Sequence, residues 1–297
     1  MSTNGSAVFM AYLRLLRPQQ WVKNGFIFLP LVFSQNLGRP ELWFKSVFAF
    51  LAFSFISSGV YIINDLRDRG EDRFHPEKRL RPLAAGTARP APAAALAFIL
   101  LLAGLFMAGV LPGMVYLPLL AYLLLQVLYT FLLKRLVILD ALAIAVGFVL
   151  RVVTGAFAIA VPMSSWLLLC TFFLALFLAF CKRRHELGLE DSGTHRPVLE
   201  EYSEKFLDQL ITMSAATTLL CYALYASSPA TAEKFHTPLL VLTVPFVVYG
   251  ITRYQYLVLI RNKGGNPGRV LFGDLPFALN FLAWMASSFL IVYWEVF

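Results

Sequence analysis

Charged residues are scarce in this sequence. Asp, Glu, Lys and Arg make up only 14% of the 297 residues, whereas 59% are hydrophobic. Soluble domains contain about 25% charged and roughly 45–50% apolar residues, so this composition excludes an ordinary soluble protein. We therefore expect an integral membrane protein whose partners include the lipid bilayer and do not include nucleic acid.

Cysteine is also scarce, and no secretion signal is evident. Cys170, Cys181 and Cys221 all lie in apolar segments, without the spacing of a metal site or the number needed for a disulfide framework. We expect them to be small residues of the core or of the lipid-facing surface. Residues 1–20 lack the apolar stretch of a cleavable signal peptide, so we expect none.

Long hydrophobic runs are abundant by contrast. A bilayer core of about 30 Å requires roughly 20 apolar residues per helix, and on that basis the sequence predicts an all-helical bundle of nine transmembrane helices. The first is short and is interrupted by Pro30. No stretch between them is long enough for a soluble domain, so residues 1–297 are expected to form a single membrane domain. The predicted helices are 21–37, 44–63, 91–111, 115–133, 137–161, 164–181, 207–227, 238–259 and 275–296.

Lys and Arg are unevenly distributed between the loops of this bundle. If the nine helices alternate in direction, the side of the N-terminus holds 22 of the 25 Lys and Arg residues, counting Arg151, which lies inside a predicted helix; the other side holds Arg39, Lys45 and Lys234. Cytoplasmic loops carry the excess of Lys and Arg, so we expect a multi-pass protein of the cell membrane with a cytoplasmic N-terminus. The acidic residues concentrate on the same side, which this rule does not explain and which indicates a charged site facing the cytoplasm.

The first candidate site follows the second predicted helix. If that helix continues past Tyr61, then Asn64, Asp65, Asp68 and Asp72 occupy one strip within an arc of about 100°. Mg²⁺ is usually held by one or two carboxylates together with substrate phosphates, and such a strip suits it. The alternative is a solvated loop whose acids balance nearby cations. We favour the metal site because charge at a membrane edge is costly and usually functional.

Basic residues form further candidate clusters. Basic side chains beside a magnesium site can bind a diphosphate or a sugar phosphate, and the guanidinium group of Arg can form bidentate hydrogen bonds with phosphate oxygens. Asp140 and Arg151 share one face of the fifth predicted helix, about three turns apart, and need a cavity or a partner there. A simple structural ion pair between them is the alternative, and the cluster that begins at Lys182 could be only an anchor at the membrane surface. The residues concerned are Lys78, Arg79 and Arg81, then Tyr129, Lys134, Asp140 and Arg151, then Lys182, Arg183 and Glu186.

These motifs together resemble those of UbiA-type membrane prenyltransferases, and specifically their decaprenyl-phosphate phosphoribosyltransferase branch. The resemblance extends from Leu15 to about Leu279. Its most specific part is the string NDLRDRGEDRFHPEKRLRPLAAG, which contains the spacing Asn64-Asp65-x-x-Asp68-x-x-x-Asp72. The remaining matches are Arg17-Pro18-x-x-Trp21-x-Lys23-Asn24, YTFLLK and Lys182-Arg183-x-x-Glu186-Leu187.

One departure from ordinary UbiA-type enzymes bears on the substrate. Those enzymes carry a second aspartate-rich motif that binds more magnesium, but here Asp140 is followed four residues later by Ile144 and is flanked by Lys134 and Arg151. A single carboxylate surrounded by cations is a poor metal-binding site. The cations around it could instead bind an anionic ligand that carries no metal, such as a lipid phosphate.

The resemblance implies a UbiA-like transferase that moves 5-phosphoribosyl from 5-phosphoribosyl 1-diphosphate to a polyprenyl phosphate, with Mg²⁺ as cofactor and release of diphosphate. The residues expected to act in catalysis are Asp65, Asp68, Asp72, Lys134 and Arg151. It further implies that Asn64, Asp65, Asp68 and Asp72 hold Mg²⁺, that Lys23, Lys78, Arg79 and Arg81 position phosphates, and that Tyr129, Lys134, Asp140, Arg151, Lys182, Arg183 and Glu186 complete the site.

Two other functions stay open at this point. A UbiA-type enzyme could instead move a prenyl group onto an aromatic or quinone precursor. A transporter would use charged residues inside the membrane as ion ligands, but the sequence contains no inverted repeat and its charges lie at one membrane edge. The sequence does not define the lipid chain length, and it is compatible with a homo-oligomer.

Overall fold

The computed structural model of the protein describes residues 3–74, 78–188, 197–263, 265 and 267–294. All regular secondary structure within these ranges is helical, as the sequence predicts. The α-helices are α1 (Thr3–Leu15), α2 (Leu29–Phe33), α3 (Pro40–Arg67), α4 (Arg69–Asp72), α5 (Pro90–Ala108), α6 (Tyr116–Phe131), α7 (Leu139–Ala158), α8 (Ser165–Leu187), α9 (Glu204–Ser227), α10 (Pro229–Phe235), α11 (Val244–Leu259), α12 (Pro267–Gly273) and α13 (Leu275–Tyr293). Short 3-10 helices cover Pro18–Phe28, Lys78–Leu80, Gly113–Val115, Leu133–Arg135, Pro197–Glu201 and Leu239–Thr243.

Most of the predicted transmembrane helices are present. Within the described ranges, seven helices are long and apolar enough to cross a membrane, or eight if α10 and the segment Leu239–Leu259, which meet at 103°, form one crossing. These eight coincide with the second to ninth predicted helices. Over the predicted first helix, 21–37, the structure instead has most of the 3-10 helix Pro18–Phe28 and the five-residue α2. The chain is therefore a multi-pass membrane protein, with seven or eight long apolar helices among its described residues.

Local chemistry determines where several of these helices begin. Pro40 and Pro90 occupy the first positions of α3 and α5, where the missing proline N–H costs no intrahelical hydrogen bond. Ser164, Ser203 and Asp274 precede α8, α9 and α13, and each side-chain oxygen accepts the N–H three residues later. Such caps satisfy backbone donors that a helix start leaves unpaired.

The chain forms two compact units. Unit 1 contains Met1–Leu132 and Leu150–Pro162, and unit 2 contains Leu133–Val149 and Met163–Phe297. The first half of α7 thus belongs to unit 2 and its second half to unit 1. Each unit has its own hydrophobic core.

The core of unit 1 depends on close contacts between helices. An added Cβ at Gly104 of α5 would lie 2.8 Å from the carbonyl oxygen of Ala52 in α3, so only glycine permits this approach. An added Cβ at Gly155 of α7 would overlap the carbonyl of Ile27 in the 3-10 helix. Small residues at helix contacts are typical of membrane proteins, because they allow backbones to pack directly.

The core of unit 2 lies among α8, α9 and α11. Phe177 and Leu207 are fully buried there. Cys181 and Cys221 are buried free thiols, and Cys170 is partly buried, as expected from the sequence. A second group of contacts links α9 to α13, because Trp284 Nε1 donates to the hydroxyl group of Tyr222 at 2.9 Å.

Candidate active site

The strip of oxygen donors lies at the end of α3 and in α4. The N–H of Asp68 donates to the carbonyl of Asn64, and the N–H of Asp72 donates to the carbonyl of Asp68, both at 2.9 Å. Helical hydrogen bonding therefore continues across the junction between the two helices, which keeps the four predicted metal ligands on consecutive turns. The side chains of Asp65 and Asp72 are buried, with 2% and 3% of their surfaces exposed.

Two arginines pair with these buried carboxylates. One guanidinium nitrogen of Arg81 lies 3.0 Å from Oδ1 of Asp65 and 2.7 Å from Oδ2 of Asp72. Arg17, which precedes the 3-10 helix Pro18–Phe28, also donates to Asp65. An unpaired buried carboxylate is strongly destabilising, and these contacts avoid that cost. Asp65 and Asp72 are close enough to contact the same cation.

The end of α6 is attached to this strip by hydrogen bonds. The hydroxyl group of Thr130 donates to Oδ1 of Asn64 at 2.6 Å, and the carbonyl of Thr130 accepts from Arg67. The guanidinium of Arg67 also lies 4.2 Å from the centroid of the Phe131 ring. These bonds bring the segment that contains Tyr129, a predicted site residue, to the end of α3.

Other predicted phosphate ligands lie in short 3-10 segments. Lys78 and Arg79 belong to the turn Lys78–Leu80 immediately before Arg81, and Lys23 is exposed on Pro18–Phe28. Residues 75–77 of the motif lie outside the described residues. In the part of the chain that is described, no three His, Cys, Asp or Glu side chains are grouped so as to hold a metal ion; Asp65 and Asp72 face guanidinium groups.

Arg151 lies in the second half of α7 and is only 5% exposed. Its Nε donates to Oδ1 of Asn24 at 2.8 Å, and the amide nitrogen of Asn24 donates to the hydroxyl group of Ser54 at 2.9 Å. The guanidinium lies 4.7 Å from the ring centroid of Phe53 and 5.1 Å from that of Tyr122. A buried arginine requires such partners, and a polar chain and two aromatic faces supply them within unit 1.

Asp140, in the first turn of α7, pairs with Arg183 of α8. Nε of Arg183 donates to Oδ2 of Asp140 at 2.6 Å, and both side chains are almost completely buried, at 1% and 0% exposure. Arg183 also donates to Glu186 at 2.7 Å, and Nζ of Lys182 lies 3.7 Å from the other carboxylate oxygen of Glu186. The simple Asp140–Arg151 pair considered above is therefore not what neutralises Asp140.

Lys134 is partly buried in the 3-10 turn Leu133–Arg135, five residues before the first residue of α7. This turn, like Asp140, belongs to unit 2. These contacts group several of the predicted residues into three networks. One surrounds Asp65 and Asp72 and a second surrounds Arg151, both in unit 1, and the third surrounds Asp140 in unit 2.

Comparison with known proteins identifies the family. Residues 26–282 match the UbiA prenyltransferase family. The chain belongs to this family. It is 32% identical over 296 residues to the decaprenyl-phosphate phosphoribosyltransferase of Mycolicibacterium smegmatis, covering 95% of this chain and 92% of that protein. It is 32% identical over 293 residues to the enzyme of the same name from Corynebacterium glutamicum, covering 95% and 86%.

Solved structures support the UbiA fold of this family member. A UbiA homolog from Archaeoglobus fulgidus bound to GPP and Mg²⁺ superposes with a TM-score of 0.70 at 19% identity, over 95% of this chain and 99% of that one. The same homolog bound to DMAPP and Mg²⁺ also gives a TM-score of 0.70. These likenesses confirm the all-helical UbiA architecture that the sequence motifs predict.

Three residues of the UbiA-family networks were not predicted from the sequence as site residues. Arg17 and Asn24 occur in the quoted N-terminal motif, which was the available signal, but their contacts with Asp65 and Arg151 span 48 and 127 positions. Tyr202, whose hydroxyl group donates to Asp140 at 3.0 Å, lies in a loop with no periodic pattern. Burial raises the pKa of Tyr202 above its ordinary value, so the phenol keeps its proton and remains a donor.

Proposed function

We propose that this UbiA-family protein transfers 5-phosphoribosyl from 5-phosphoribosyl 1-diphosphate to a polyprenyl phosphate and releases diphosphate. The observation that carries the proposal is the similarity over 95% of the chain to proteins named decaprenyl-phosphate phosphoribosyltransferase. The contacts of Asp140 agree with it. Both carboxylate oxygens of Asp140 are already engaged by Arg183 and Tyr202, an arrangement poorly suited to a second metal.

The oxygen donors of unit 1 fit Mg²⁺ by their chemistry. Mg²⁺ prefers carboxylate oxygens combined with substrate phosphates, and Asp65 and Asp72 already share one cationic nitrogen of Arg81. In this proposal Asn64, Asp65, Asp68 and Asp72 hold the ion. When bound, Mg²⁺ supplies neutralisation of the charge on the departing diphosphate.

Arginines of the same network would exchange partners as substrate binds. Before binding, Arg17 and Arg81 hold the buried carboxylates. Arg81 is about one-third exposed, at 31%, so its guanidinium can turn toward a phosphate, with which arginine forms paired, charge-assisted hydrogen bonds. Lys23, Lys78 and Arg79 are proposed to bind the remaining phosphate oxygens.

The acceptor needs no dedicated general base. The second pKa of a phosphate monoester is about 6, so polyprenyl phosphate is an anionic nucleophile at neutral pH. Catalysis would therefore consist mainly of orientation and of electrostatic stabilisation of the anomeric carbon as positive charge develops there. In-line attack opposite the α-diphosphate should give a β-linked product.

Recognition of the lipid phosphate is assigned to the basic residues of the second predicted cluster. Lys134 and Arg151 are proposed to bind the phosphate, and Arg183 to contribute through the network of Asp140. These residues carry positive charge, and Ile144 stands four residues after Asp140, where a second aspartate-rich motif would place another carboxylate. Tyr129, Lys182 and Glu186 are proposed to complete the binding surfaces.

The proposed topology has nine crossings, a cytoplasmic N-terminus and one functional membrane domain over residues 1–297, in the cell membrane. A 3-10 helix rises about 2.0 Å per residue and an α-helix about 1.5 Å. Pro18–Phe28 and α2 together, with eleven and five residues, would therefore extend for about 30 Å, the thickness of a bilayer core. We propose that this segment crosses the membrane in addition to the eight apolar helices, as the first of nine crossings in chain order.

The direct test is incubation of the purified protein with 5-phosphoribosyl 1-diphosphate, labelled in the sugar, and polyprenyl phosphate. The label should enter the lipid extract while diphosphate is released. The solved relatives bound to GPP and DMAPP favour prenyl transfer as the second candidate. That candidate would be supported if the label stays aqueous while a polyprenyl diphosphate is consumed with an aromatic acid. Absence of both reactions would contradict both candidates.

A further inference from the structure

The hydroxyl group of Tyr202 joins two segments of unit 2. It accepts the backbone N–H of Ile138 at 2.6 Å and donates to Oδ1 of Asp140 at 3.0 Å. The ring itself is 5% exposed and stacks on Phe206, with centroids 6.3 Å apart. A phenol has one proton to donate and lone pairs to accept with. The two hydrogen bonds therefore run in one direction, from Ile138 through Tyr202 to Asp140.

The backbone at Ile138 explains why an acceptor is needed there. Its φ of 68° is in the left-handed region, which a β-branched side chain rarely adopts. The residue lies immediately before α7, so this turn sets the direction in which the helix leaves and places Asp140 in the first turn. A backbone N–H left without an acceptor in such a position is destabilising. The hydroxyl group of Tyr202 supplies the acceptor.

The segment that carries Tyr202 is firmly attached to the unit. Val198 and Leu199 are buried, at 0% and 2% exposure, in the core formed with α8 and α9. Arg184 of α8 donates to Glu204 at 2.8 Å and to Asp208 at 2.9 Å, which ties the end of α8 to the start of α9. Tyr202 is therefore a fixed point from which Asp140 can be oriented.

Asp140 transmits this orientation to Arg183. Its Oδ1 is bonded to Tyr202, and its Oδ2 accepts from Nε of Arg183 at 2.6 Å. Because the guanidinium is planar, a bond at Nε fixes the plane in which its other nitrogens lie. One of them donates to Glu186, which is 24% exposed. The hydroxyl group of Tyr202 therefore constrains a buried arginine that it does not touch.

We propose that Tyr202 is a positioning residue: its hydroxyl group orients Asp140 and, through Asp140, the guanidinium of Arg183 toward the phosphate of the polyprenyl acceptor. This inference rests on the function proposed above. Tyr202 contacts neither substrate nor metal. If it served only to fill the core, its ring would matter and its hydroxyl group would not.

The test compares Tyr202→Phe with the wild type. The variant keeps the ring and its stacking on Phe206 but removes both hydrogen bonds. The KM for polyprenyl phosphate should rise about tenfold or more, as expected for a lost hydrogen bond to a charged group. The KM for 5-phosphoribosyl 1-diphosphate should change less than about twofold. Equal changes in both constants, or none, would overturn the inference.

Tyr222→Phe is the matched control. Its hydroxyl group lies in the same unit and bonds to Thr243 at 2.7 Å and to Trp284 at 2.9 Å, but none of these residues belongs to any of the three networks described above. Losing it should lower the melting temperature and leave both KM values unchanged. If Tyr222→Phe raises the lipid KM as much as Tyr202→Phe, the effect is only loss of rigidity and the proposal fails.

A double-mutant cycle tests whether Tyr202 acts through Asp140. Because coupled residues are non-additive, Tyr202→Phe should have little further effect on the lipid KM once Asp140→Asn is present. A full, additive effect in that background would contradict the proposed route. If Tyr202→Phe alone does not fold, the effect of Tyr202→Phe on the lipid KM is measured in an Ile138→Gly background. Glycine adopts positive φ without strain, so this background should tolerate loss of the hydroxyl group.

Binding without turnover separates this inference from the proposed function. Polyprenyl phosphate alone should raise the melting temperature of the wild type and of Tyr222→Phe, and should raise that of Tyr202→Phe much less. If the wild type transfers no label but shows this difference, the proposed function is wrong and the positioning role stands. An equal rise in all three proteins would overturn the positioning role, whatever the reaction.

Discussion

Buried carboxylates next to arginines are the main feature of this protein at the scale of single residues. Asp65, Asp72 and Asp140 are at most 3% exposed, and each accepts hydrogen bonds from a guanidinium group. Removing one member of a buried ion pair destabilises the folded state far more than replacing both members with apolar residues does. Substitutions in these pairs must therefore be judged on stability and activity together.

Asp72→Asn should abolish transfer while the protein still folds. The amide keeps the size of the side chain but loses the charge that Mg²⁺ requires, and Arg81, at 31% exposure, can turn to water. A metal is worth several kcal/mol in such a transition state, so we expect a loss of at least about a hundredfold. Label transfer and melting temperature are the measurements.

Glu71→Gln is the control for that experiment. Glu71 is the exposed neighbour of Asp72 in α4, and its substitution should leave transfer close to that of the wild type. EDTA should stop the wild type, and added Mg²⁺ should restore it. Full activity in chelator would refute the assignment of a metal to this strip.

Arg151→Gln should impair use of the lipid acceptor. A lost charge-assisted hydrogen bond is worth about 1.5–3 kcal/mol, so the ratio kcat/KM for polyprenyl phosphate should fall roughly ten- to a hundredfold. Some loss of melting temperature is also expected, because the guanidinium packs on Phe53 and Tyr122. The exposed Arg135 provides the control Arg135→Gln. Unchanged kinetics in Arg151→Gln would exclude a role in binding phosphate.

The sequence was sufficient to find the strip and the nearby Arg81, but not to identify Arg17 as a partner of the strip. Asn64, Asp65, Asp68 and Asp72 are close in sequence, and helical geometry alone places them together. The pair of Arg17 with Asp65 joins positions 48 apart, and no local pattern encodes such a distance. Tyr202 lies outside any periodic segment for the same reason. Contacts of this kind depend on how whole helices pack.

At the scale of elements, hydropathy located eight of the nine predicted helices, because length and apolar content suffice for a membrane crossing. The segment 18–33 was the exception. Runs of 3-10 helix beyond three or four residues are uncommon, and apolar content does not distinguish them from α-helix. Any Cβ at Gly155 would overlap Ile27. This close contact depends on how the helices pack, and hydropathy contains no information about packing.

Gly155→Ala should destabilise the protein through this contact. The added methyl group would overlap the backbone of Ile27, so α7 and the 3-10 helix must separate. Overpacking of this kind costs typically 1–3 kcal/mol, which a lower melting temperature in detergent would reveal. Gly25→Ala in the same 3-10 helix is the control, since no atom lies within 4 Å of its added Cβ. Equal stability of the two variants would contradict the observed packing.

At the scale of the whole molecule, the proposed topology predicts termini on opposite sides of the membrane. An epitope before Met1 should be protected in sealed right-side-out cells, and one after Phe297 should be accessible. The accessibility of the N-terminal epitope shows whether the segment that contains Pro18–Phe28 crosses the membrane. If both epitopes are accessible from outside, this segment does not cross, and the protein has eight crossings. A protected C-terminal epitope would contradict the orientation inferred from the Lys and Arg distribution.

The arginines on the acidic strip also affect how the protein tolerates shortage of metal. Because Arg17 and Arg81 already balance Asp65 and Asp72, the folded state carries its own counter-ions at this site. Zinc-finger proteins differ, since metal binding is part of their folding free energy. If the proposed Mg²⁺ site is correct, a cell depleted of magnesium would therefore retain a folded but inactive enzyme, whose activity would return with the ion without new synthesis or refolding.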